Sequence, residues 1–561
     1  MVSNQNLEIE LQKLFQQKKY PEIVKEITSN TDEKDRSASL NNLLGISRIT
    51  NNRDNKEIVS LALSDFKRGY LKEKNTISAL DSLANFIITS VLLRDLEKNN
   101  DFNFDEIMSY YKESEKISLK HRAINIAMTM VNRRLNDPKA FAFHLDRVIK
   151  SKNFMVGDLI SYGYLKCFDK SWKQSDFFEF GKFVDNNLKE YPEDKLTKIS
   201  QKIGQKIRLG FLSSDIRRYH SITYFLKTIL SNYNKNKFEI FLFINHPKED
   251  QTTKNFEDLV NKKINVFRLG NLETLNKIRE LEIDIMVDLM GYTSYQRLEL
   301  FKNRLAKKQI VWMGYCNTTG IKNMDYIISD PNLIKPDEEN FYSEKVMYLP
   351  EIWNCHCGFD FERKEHPPPV IKNNYFTFGS FNNFDKVNSD VILVWSDILK
   401  KVKNSILVLK TAKDIHATAR IKEIFKKKDV LESVRFLNRE DKLEDHLNLY
   451  KDVDICLDTF PYNGVTTSFE AIWMGVPVIT MEGYNFNSRC GVSINRNLKM
   501  ENLIASDEKD YVSKAIDLSN NTKKYLDLRK SIFVDALKSP LFDQERFSKS
   551  FFKILEEIAS L

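Results

Sequence analysis

Cysteine is scarce in this sequence of 561 residues, and its six thiols are widely separated along the chain. Six cysteines at such spacings do not predict the disulfide framework of a small secreted domain. Cys355, His356 and Cys357 resemble half of a zinc site, but a structural zinc ion needs four ligands and no second pair lies nearby. The sequence therefore predicts neither a disulfide scaffold nor a metal centre.

Long apolar runs and blocks of like charge are also missing. The longest apolar run, 84–93, has the length of a core helix, whereas a membrane span needs about 20 residues. The N-terminus carries no apolar signal segment. The net charge of +8 is spread over 86 basic and 78 acidic residues, without the basic patch that nucleic-acid binding requires. We therefore expect a cytoplasmic protein that binds neither membranes nor nucleic acids.

Glycine is sparse in the first 200 residues, where apolar side chains recur at helical spacing. Polar connectors such as 29–32 and 51–54 separate helices of ordinary length. Segment 38–49 resembles the first helix of a tetratricopeptide repeat, but no period of about 34 residues is visible. Residues 1–200 are predicted to form either a degenerate helical-repeat array or one irregular all-helical domain.

From about residue 206 onward, short apolar strands alternate with helices, which is typical of parallel sheets covered on both faces. The predicted strands are 207–212, 238–244, 283–289, 310–313 and 326–328, and then, after the prolines at 367–369, 376–381, 406–409, 434–437, 455–457 and 476–479. We expect an α/β protein in which two Rossmann-like domains, 201–365 and 366–561, face a cleft. Helices close the second domain at its C-terminal end. Ligands of such sheets bind at the carboxyl ends of the strands.

Segment 452–480 has the features of a phosphate-binding turn. A buried strand is followed by the loop 458–464 and by a helix that starts near Thr467. The N–H groups of a first helical turn point at whatever lies in such a loop, and Thr466 and Thr467 add hydroxyl donors. The same residues also fit an ordinary helix start, with a capping box between Thr467 and Glu470. Local chemistry leaves both interpretations open.

Polar residues follow other predicted strands as well. His220 stands where the first strand–loop–helix begins its helix, and Lys386 follows the strand 376–381. A lysine at that place could neutralise a pyrophosphate, although any single lysine is more commonly a surface residue. A histidine at a helix start is likewise more often a capping or surface residue than a catalytic one.

The order and content of these segments resemble the catalytic region of the protein O-GlcNAc transferase and SPINDLY family. The motifs that carry the resemblance span nearly all of 205–550 and read SSDIRRYHSITYFL, DLMGYTSYQR, LAKKQIVWMGYCNTTG, MDYIISDP, YSEKVMYLP, GSFNNFDKV, LDTFPYNGVTTSFEAIWMGVPVITM, SRCGVSI and SPLFD. The resemblance implies a GT-B glycosyltransferase that needs no metal and no other cofactor. It also implies a nucleotide-sugar donor and protein acceptors that bind through the N-terminal helical domain.

The resemblance assigns roles by position. Lys386 resembles the lysine that contacts the donor diphosphate, and Thr466 and Thr467 resemble the helix-start pair that donates to the same phosphates. His220 resembles a histidine on the sugar and acceptor side, and is a candidate base. The other donor-site positions are Asn383 near the phosphates, His446 on the uridine, Gly464 in the loop and Glu470 on the ribose. The loop near the transferred sugar contributes Gly314, Tyr315, Thr318 and Thr319.

Departures from the family pattern concern the donor. Val465 stands where the family has a phosphate-contacting histidine, and Cys316 and Asn317 replace a Pro-Gly pair beside the sugar. The pair 460–461 is closer to SPINDLY, whose plant members use GDP-fucose, while 463–464 is closer to the O-GlcNAc enzymes. The predicted reaction is transfer of N-acetylglucosamine from UDP-GlcNAc to protein serine or threonine. Fucose transfer from GDP-fucose, transfer to a non-protein acceptor and a catalytically silent scaffold remain alternatives.

Overall fold

A computed structural model of the chain describes residues 4–97, 103–135, 137–199, 206–218, 220–411, 415–438 and 440–561. Its contacts divide the chain into two compact units. The first comprises Met1–Asp158 with Ala412–Arg420, and the second comprises Leu159–Thr411 with Ile421–Leu561. The predicted domain boundary at 200–201 lies outside the described residues and stays a prediction.

The first unit is helical in its described residues. Its helices are α1 (Asn4–Gln16), α2 (Tyr20–Asn30), α3 (Ala38–Ile49), α4 (Lys56–Lys72), α5 (Ile77–Glu97), α6 (Phe104–Ile117), α7 (Arg122–Arg134) and α8 (Pro138–Lys150), followed by α9 (Val156–Lys166), which continues into the second unit. Side-chain caps fix several helix starts, since Ser37 accepts from the N–H of Leu40 and Asp137 from that of Ala140.

Helix α5 is the core helix of this unit. Leu83, Ile87 and Val91 on α5 are buried against Phe66 and Tyr70 of α4. By length and composition alone, the part of α5 from Ile77 to Arg94 could cross a membrane, and it is the one such helix among the described residues. The apolar run is thus longer than the sequence indicated. Half of that window is buried inside the protein, as expected for a core helix.

The second unit contains two parallel sheets. The first has the strand order β3-β2-β1-β4-β5-β6-β7 and the second has the order β10-β9-β8-β11-β12-β13. The first sheet comprises β1 (Ile207–Ser213), β2 (Phe238–Ile244), β3 (Lys262–Asn265), β4 (Ile285–Asp288), β5 (Lys308–Val311), β6 (Tyr326–Ser329) and β7 (Lys345–Tyr348). The second comprises β8 (Thr377–Ser380), β9 (Ile406–Lys410), β10 (Val434–Leu437), β11 (Ile455–Leu457), β12 (Val478–Met481) and β13 (Ile504–Ala505). This confirms the predicted α/β class with two doubly wound sheets.

Helices cover both sheets. They are α10 (Gln174–Asn187), α11 (Ser221–Leu230), α12 (Gln251–Asn255), α13 (Asn271–Arg279), α14 (Leu298–Lys302), α15 (Pro369–Asn373), α16 (Ser389–Lys401), α17 (Ile415–Lys427), α18 (Leu443–Asn448), α19 (Thr466–Trp473), α20 (Cys490–Asn497), α21 (Glu508–Asn520), α22 (Thr522–Asp535) and α23 (Gln544–Ser560). The last of these, α23, returns to the first sheet. Its Phe551 ring lies 4.5 Å from Trp312, and its Phe552 ring lies 4.8 Å from Phe238.

Each sheet reverses its strand order at one place. In the first sheet the reversal lies between β1 and β4, whose register pairs Phe211 with Val287. In the second it lies between β8 and β11, which pair Gly379 with Cys456. Loops on the two sides of such a switch point diverge and leave a crevice at the carboxyl ends of the strands. Loops 381–388 and 458–464 leave the second sheet there, and they contain three of the predicted donor-site residues, Asn383, Lys386 and Gly464.

Helix α10 packs on the loops of the first sheet. Gln174 Nε2 donates to Asn317 Oδ1 at 2.9 Å, and Lys302 Nζ lies 3.1 Å from Asp185 Oδ2. A Cβ on Gly181 would lie 2.7 Å from the Cα of Gly320. The backbones touch at this crossing because both positions lack a side chain.

Candidate functional site

Asp458 organises the loop between β11 and α19. Its buried carboxylate accepts the N–H of Gly464 at 2.6 Å, the N–H of Thr459 at 2.8 Å and the hydroxyl of Thr480 at 2.8 Å. Burial raises the pKa of Asp458 to about 6, although these hydrogen bonds and the charge of Lys386 oppose the rise. Asp458 was not among the predicted site residues, but it closes the loop by a local ring of hydrogen bonds.

Helix α19 begins at Thr466, and the backbone of Val465 precedes it without a side-chain cap. A capping box joins the N-cap to the third helical position, which here are Val465 and Ser468. Thr467 is already the second residue of the helix, so it cannot form the box with Glu470. The hydroxyl of Thr467 instead donates to Asn382 Oδ1 at 2.8 Å. The capping-box interpretation is wrong, which leaves both threonines at the edge of the loop.

Lys386 meets this loop from the neighbouring strand connection. Its Nζ donates to the carbonyl oxygen of Asn463 at 2.6 Å and lies 4.1 Å from the centroid of the Tyr462 ring. Burial lowers the pKa of Lys386, while the nearby Asp458 carboxylate works in the opposite direction. The structure thus brings together the lysine, the loop and the start of α19.

Position 464 requires glycine because neighbouring side-chain oxygens approach its Cα closely. A Cβ at this position would lie 2.8 Å from the Oγ atoms of Thr467 and Ser468, and 2.9 Å from Asn382 Oδ1. The polar atoms of the loop, the helix start and the β8 connection converge on this glycine. A small, open depression lies nearby and is lined among others by Asn382, Asp458 and Thr467.

The two asparagines after β8 occupy different places. Asn383 is exposed, and its Oδ1 accepts the N–H of Asp385 at 3.2 Å at the start of a short turn. Asn382 is the residue that contacts Thr467 across the loop. The resemblance selected Asn383 by position and did not select Asn382. The assigned role of Asn383 stays a prediction.

His446 and Glu470 form one connected group with two aromatic rings. His446 Nε2 lies 3.0 Å from Glu470 Oε2, and the hydroxyl of Tyr450 donates to the same oxygen at 3.0 Å. The Phe381 ring lies 4.8 Å from Tyr450 and 6.1 Å from His446. An aromatic face beside a carboxylate is suited to a nucleoside, since one stacks on the base and the other accepts from ribose hydroxyls.

His220 lies at the first residue before α11. Its Nδ1 accepts the N–H of Ile222 at 3.4 Å, and its Nε2 lies 3.3 Å from Asp215 Oδ1. Burial lowers the pKa of His220, although the Asp215 carboxylate opposes this. The histidine therefore caps the helix, and a carboxylate orients its other nitrogen.

The loop after β5 is held by a buried acid. The hydroxyls of Thr318 and Thr319 donate to Glu344 at 2.6 and 2.5 Å. Tyr315 stacks on Tyr292 with ring centroids 4.8 Å apart. A Cβ at Gly314 would lie 1.7 Å from the carbonyl oxygen of Leu289, so no larger residue fits. Both threonine hydroxyls are thus used to shape the loop, and the assigned contacts of these four positions with a sugar stay predictions.

Two short segments with possible metal-ligating side chains make structural contacts instead. Residues 452–454 form an Asp-Val-Asp string, of a type that binds metal ions in some proteins, but Asp454 accepts the N–H of Thr377 at 2.8 Å and the hydroxyl of Tyr525 at 2.9 Å. His356 is buried, and burial lowers its pKa to about 3. Within the described ranges, no three His, Cys, Asp or Glu side chains are arranged to hold a metal ion.

Comparison with known proteins decides the family. The model of glycosyl transferase family 41 matches residues 186–357 and 370–551, which is more than half of the chain. The chain belongs to glycosyl transferase family 41. The resemblance noted from the motifs is thereby confirmed.

Relatives of this family 41 chain are found in plants. A Hordeum vulgare protein described as a probable UDP-N-acetylglucosamine–peptide N-acetylglucosaminyltransferase SPINDLY is 35% identical over 348 residues, which are 61% of this chain and 37% of that protein. A protein of the same description from Oryza sativa subsp. japonica is 33% identical over 407 residues, which are 71% of this chain and 43% of that one. The chain thus spans less than half the length of these curated relatives.

A solved structure shows the fold. A mutant O-GlcNAc transferase of Thermobaculum terrenum superposes with a TM-score of 0.79 at 20% identity, covering 94% of this chain and 98% of that one. At this identity the likeness shows the GT-B fold, as the motifs predicted.

Proposed function

We propose that this family 41 protein transfers a sugar from a nucleotide diphosphate to serine or threonine hydroxyls of proteins. The observation that carries the proposal is the meeting of Lys386 with the N-terminus of α19 at the switch point of the second sheet. A lysine ammonium and the first N–H groups of a helix together stabilise the negative charge that develops on a leaving diphosphate. This arrangement supplies the required charge without a metal ion or another cofactor.

The remaining residues divide into three groups, which face the nucleoside, the diphosphate and the sugar of the donor. His446, Glu470 and the ring of Phe381 bind the nucleoside, whereas Thr466, Thr467 and Gly464 surround the diphosphate. Asn383 lies at the edge of the phosphate site. The loop with Gly314, Tyr315, Thr318 and Thr319 forms the sugar side.

The reaction requires an acceptor hydroxyl and a base. The hydroxyl oxygen attacks the anomeric carbon, the bond from that carbon to the phosphate oxygen breaks, and the nucleoside diphosphate leaves. The Nδ1 atom of His220 takes the hydroxyl proton, directly or through a water molecule, and gives up its long contact with the N–H of Ile222 to do so. The Asp215 carboxylate, 3.3 Å from Nε2, stabilises the resulting imidazolium. The acceptor is a cytoplasmic protein or peptide bound through the helical N-terminal unit.

UDP-N-acetylglucosamine is the donor that we propose first, because the relatives' descriptions specify that donor. GDP-fucose is the second candidate, because residues 460–461 follow the SPINDLY pattern at the loop that carries Tyr462. A thermal-shift comparison of UDP, GDP, UDP-GlcNAc and GDP-fucose separates them. A ligand at one hundred times its dissociation constant stabilises a protein by about 2.7 kcal/mol.

Intact-mass measurement of candidate acceptor proteins incubated with each donor tests the reaction itself. We expect one donor to add its sugar mass to serine or threonine residues. Stabilisation by no nucleotide, together with no mass change in any acceptor, would contradict the proposal and favour a silent scaffold. Transfer to a glycan but to no protein would instead identify a non-protein acceptor.

A further inference from the structure

The segment from residue 159 to the end of α10 contacts both halves of the second unit, the half with the first sheet and the half with the second. On the first half, Gln174 donates to Asn317. On the second half, Asn487 Nδ2 donates to the carbonyl oxygen of Cys167 at 3.2 Å, and the hydroxyl of Tyr484 donates to that of Asp169 at 3.0 Å. The connection between α9 and α10 is therefore fixed beside the loop 458–464.

Phe168 lies in this connection and continues the contact into the site. Its ring is 5.1 Å from the ring of Tyr462, at an angle of 45°. The other neighbour of Tyr462 is the ammonium of Lys386, 4.1 Å from the ring centroid. Three side chains from three separate parts of the sequence thus form one stack, and its last member is the proposed diphosphate-binding cation.

The groups in closest contact with the Lys386 ammonium are uncharged. The ammonium donates to the carbonyl of Asn463 and lies against an aromatic ring. Within the described part of the chain, no carboxylate oxygen lies within 4.0 Å of Lys386 Nζ. The titratable groups that act on it from the surrounding elements are Asp458, Cys490, Cys316 and Cys167, with Tyr462 against it.

This environment has a chemical consequence. A carboxylate partner would hold the ammonium but cancel its charge, and the diphosphate would have to displace it. A carbonyl and a π face hold the ammonium without a directly paired anion, since an aromatic face attracts a cation through its quadrupole and Asp458 acts on it only from a greater distance. The charge therefore stays available for an incoming diphosphate.

We propose that Tyr462 is a positioning residue that holds the ammonium of Lys386 for the donor diphosphate, and that Phe168 holds Tyr462. The inference rests on the proposed function for the identity of the ligand. It assigns to the α9–α10 connection a part in donor binding that the two sheets alone do not supply. The stack itself can be tested without any transfer reaction.

Four variants separate the π face from the bulk of the ring. Tyr462→Phe keeps the face, whereas Tyr462→Leu keeps much of the volume and removes the face. Phe168→Leu removes the outer ring only. Phe178→Leu is the matched control, because Phe178 lies in the same segment and carries a separate cation–π contact, 4.5 Å from Lys182 Nζ.

The first measurement is competitive acetylation with labelled acetic anhydride over a range of pH, with Lys386 quantified by peptide mass spectrometry. The aromatic face favours the charged ammonium, whereas burial lowers the pKa of Lys386. We expect the pKa of Lys386 to be lower in Tyr462→Leu than in the wild type, and unchanged in Tyr462→Phe and Phe178→Leu. An unchanged pKa in Tyr462→Leu would overturn the proposal.

The second measurement is the steady-state kinetics of transfer. For Tyr462→Leu we expect kcat/KM for the donor to fall by roughly tenfold, as for loss of a desolvated cation–π contact, with the acceptor KM unchanged. Phe168→Leu should change kcat/KM in the same direction by less, and Tyr462→Phe should rescue it. If acetylation shows the expected shift but the wild type transfers no sugar, the proposed function fails and the positioning role stands. If the wild type transfers sugar and Tyr462→Leu matches it, the positioning role fails alone.

Discussion

Lys386 carries the charge on which the proposed reaction depends, and its side chain contacts the carbonyl of Asn463 and the ring of Tyr462. Its side chain is only partly buried, so its removal creates no large core cavity. Loss of a group that stabilises transition-state charge costs about 10²–10³ in kcat. The same residue that matters most for chemistry should therefore matter little for stability.

We expect Lys386→Ala to lower kcat at least a hundredfold while the thermal midpoint changes by only a few degrees. Steady-state kinetics and differential scanning fluorimetry measure the two effects. Lys400→Ala is the control, because Lys400 is an exposed lysine on the next helix, α16. A loss of activity that merely follows a loss of folded protein would contradict the assignment.

In the proposed function, Gly464 leaves room for the diphosphate. A methyl group there meets three oxygen atoms within 2.9 Å, and overpacking of this kind costs about 1–3 kcal/mol. We expect Gly464→Ala to weaken nucleotide binding by roughly tenfold or more in calorimetric titration. Gly270→Ala is the matched control, because a Cβ at Gly270 would meet nothing within 4 Å. Equal affinities in the two variants would contradict the role.

At the scale of elements, strand prediction succeeded wherever the strand is buried on both faces. Strands such as β1, β2 and β4 read as continuous apolar runs, because parallel strands are covered on each side. The strands that the sequence did not predict are β3, β7 and β13, which lie at the edges of the two sheets. An edge strand such as β3, Lys262–Asn265, carries polar residues and has only one neighbour, so its sequence resembles a loop.

The candidate site could be predicted only in part. The resemblance selected Lys386, Thr467, His446 and Glu470, and the structure brings all four to one edge of the second sheet. The partners Asn382 and Asp458 carry no signal of their own, because their role arises from contacts across the loop. The helix start was misplaced by one residue, which is enough to replace a capping box by a contact with Asn382.

The crossing of α10 over the first sheet makes a prediction at this scale. A Cβ at Gly181 would lie 2.7 Å from one backbone atom of Gly320 and 3.0 Å from another, and backbone cannot turn aside as a side chain can. We expect Gly181→Ala to lower the free energy of unfolding by about 1–3 kcal/mol, measured by urea denaturation. Gly157→Ala, in α9, meets nothing within 4 Å and should leave stability unchanged or raise it by about 0.5–1 kcal/mol. Similar losses in both variants would show that the crossing is not tight.

At the scale of the whole molecule, the two sheets are tied through buried acids. Asp330, which follows β6 in the first sheet, accepts the hydroxyl of Ser493 in α20 at 2.6 Å and the N–H of Trp353 at 3.0 Å. Arg489 adds an ion pair to Glu338. Burial raises the pKa of Asp330 to about 7, against the effect of its hydrogen bonds.

The sign of the resulting pH dependence follows from proton binding. An unfolded aspartate has a pKa of about 3.9, so between about pH 4 and pH 7 the folded state binds more protons at Asp330 than the unfolded state does. The contribution of this group to stability therefore falls as the pH rises through that range. We expect the urea midpoint of Asp330→Asn to depend less steeply on pH between 5 and 7.5 than that of the wild type. Parallel curves for the two proteins would contradict the prediction.

Helix α23 follows the second sheet in the sequence but packs on the first sheet. A fragment that ends before residue 544 would leave Trp312 and Phe238 facing water, although both belong to the half that is made first. During synthesis the surface of the first sheet is complete only once α23 has been made. A chimera that takes its C-terminal half from a relative would also replace α23, which packs on the first sheet. Such a chimera should therefore exchange only the residues before α23 and keep α23 from the protein that supplies the first sheet.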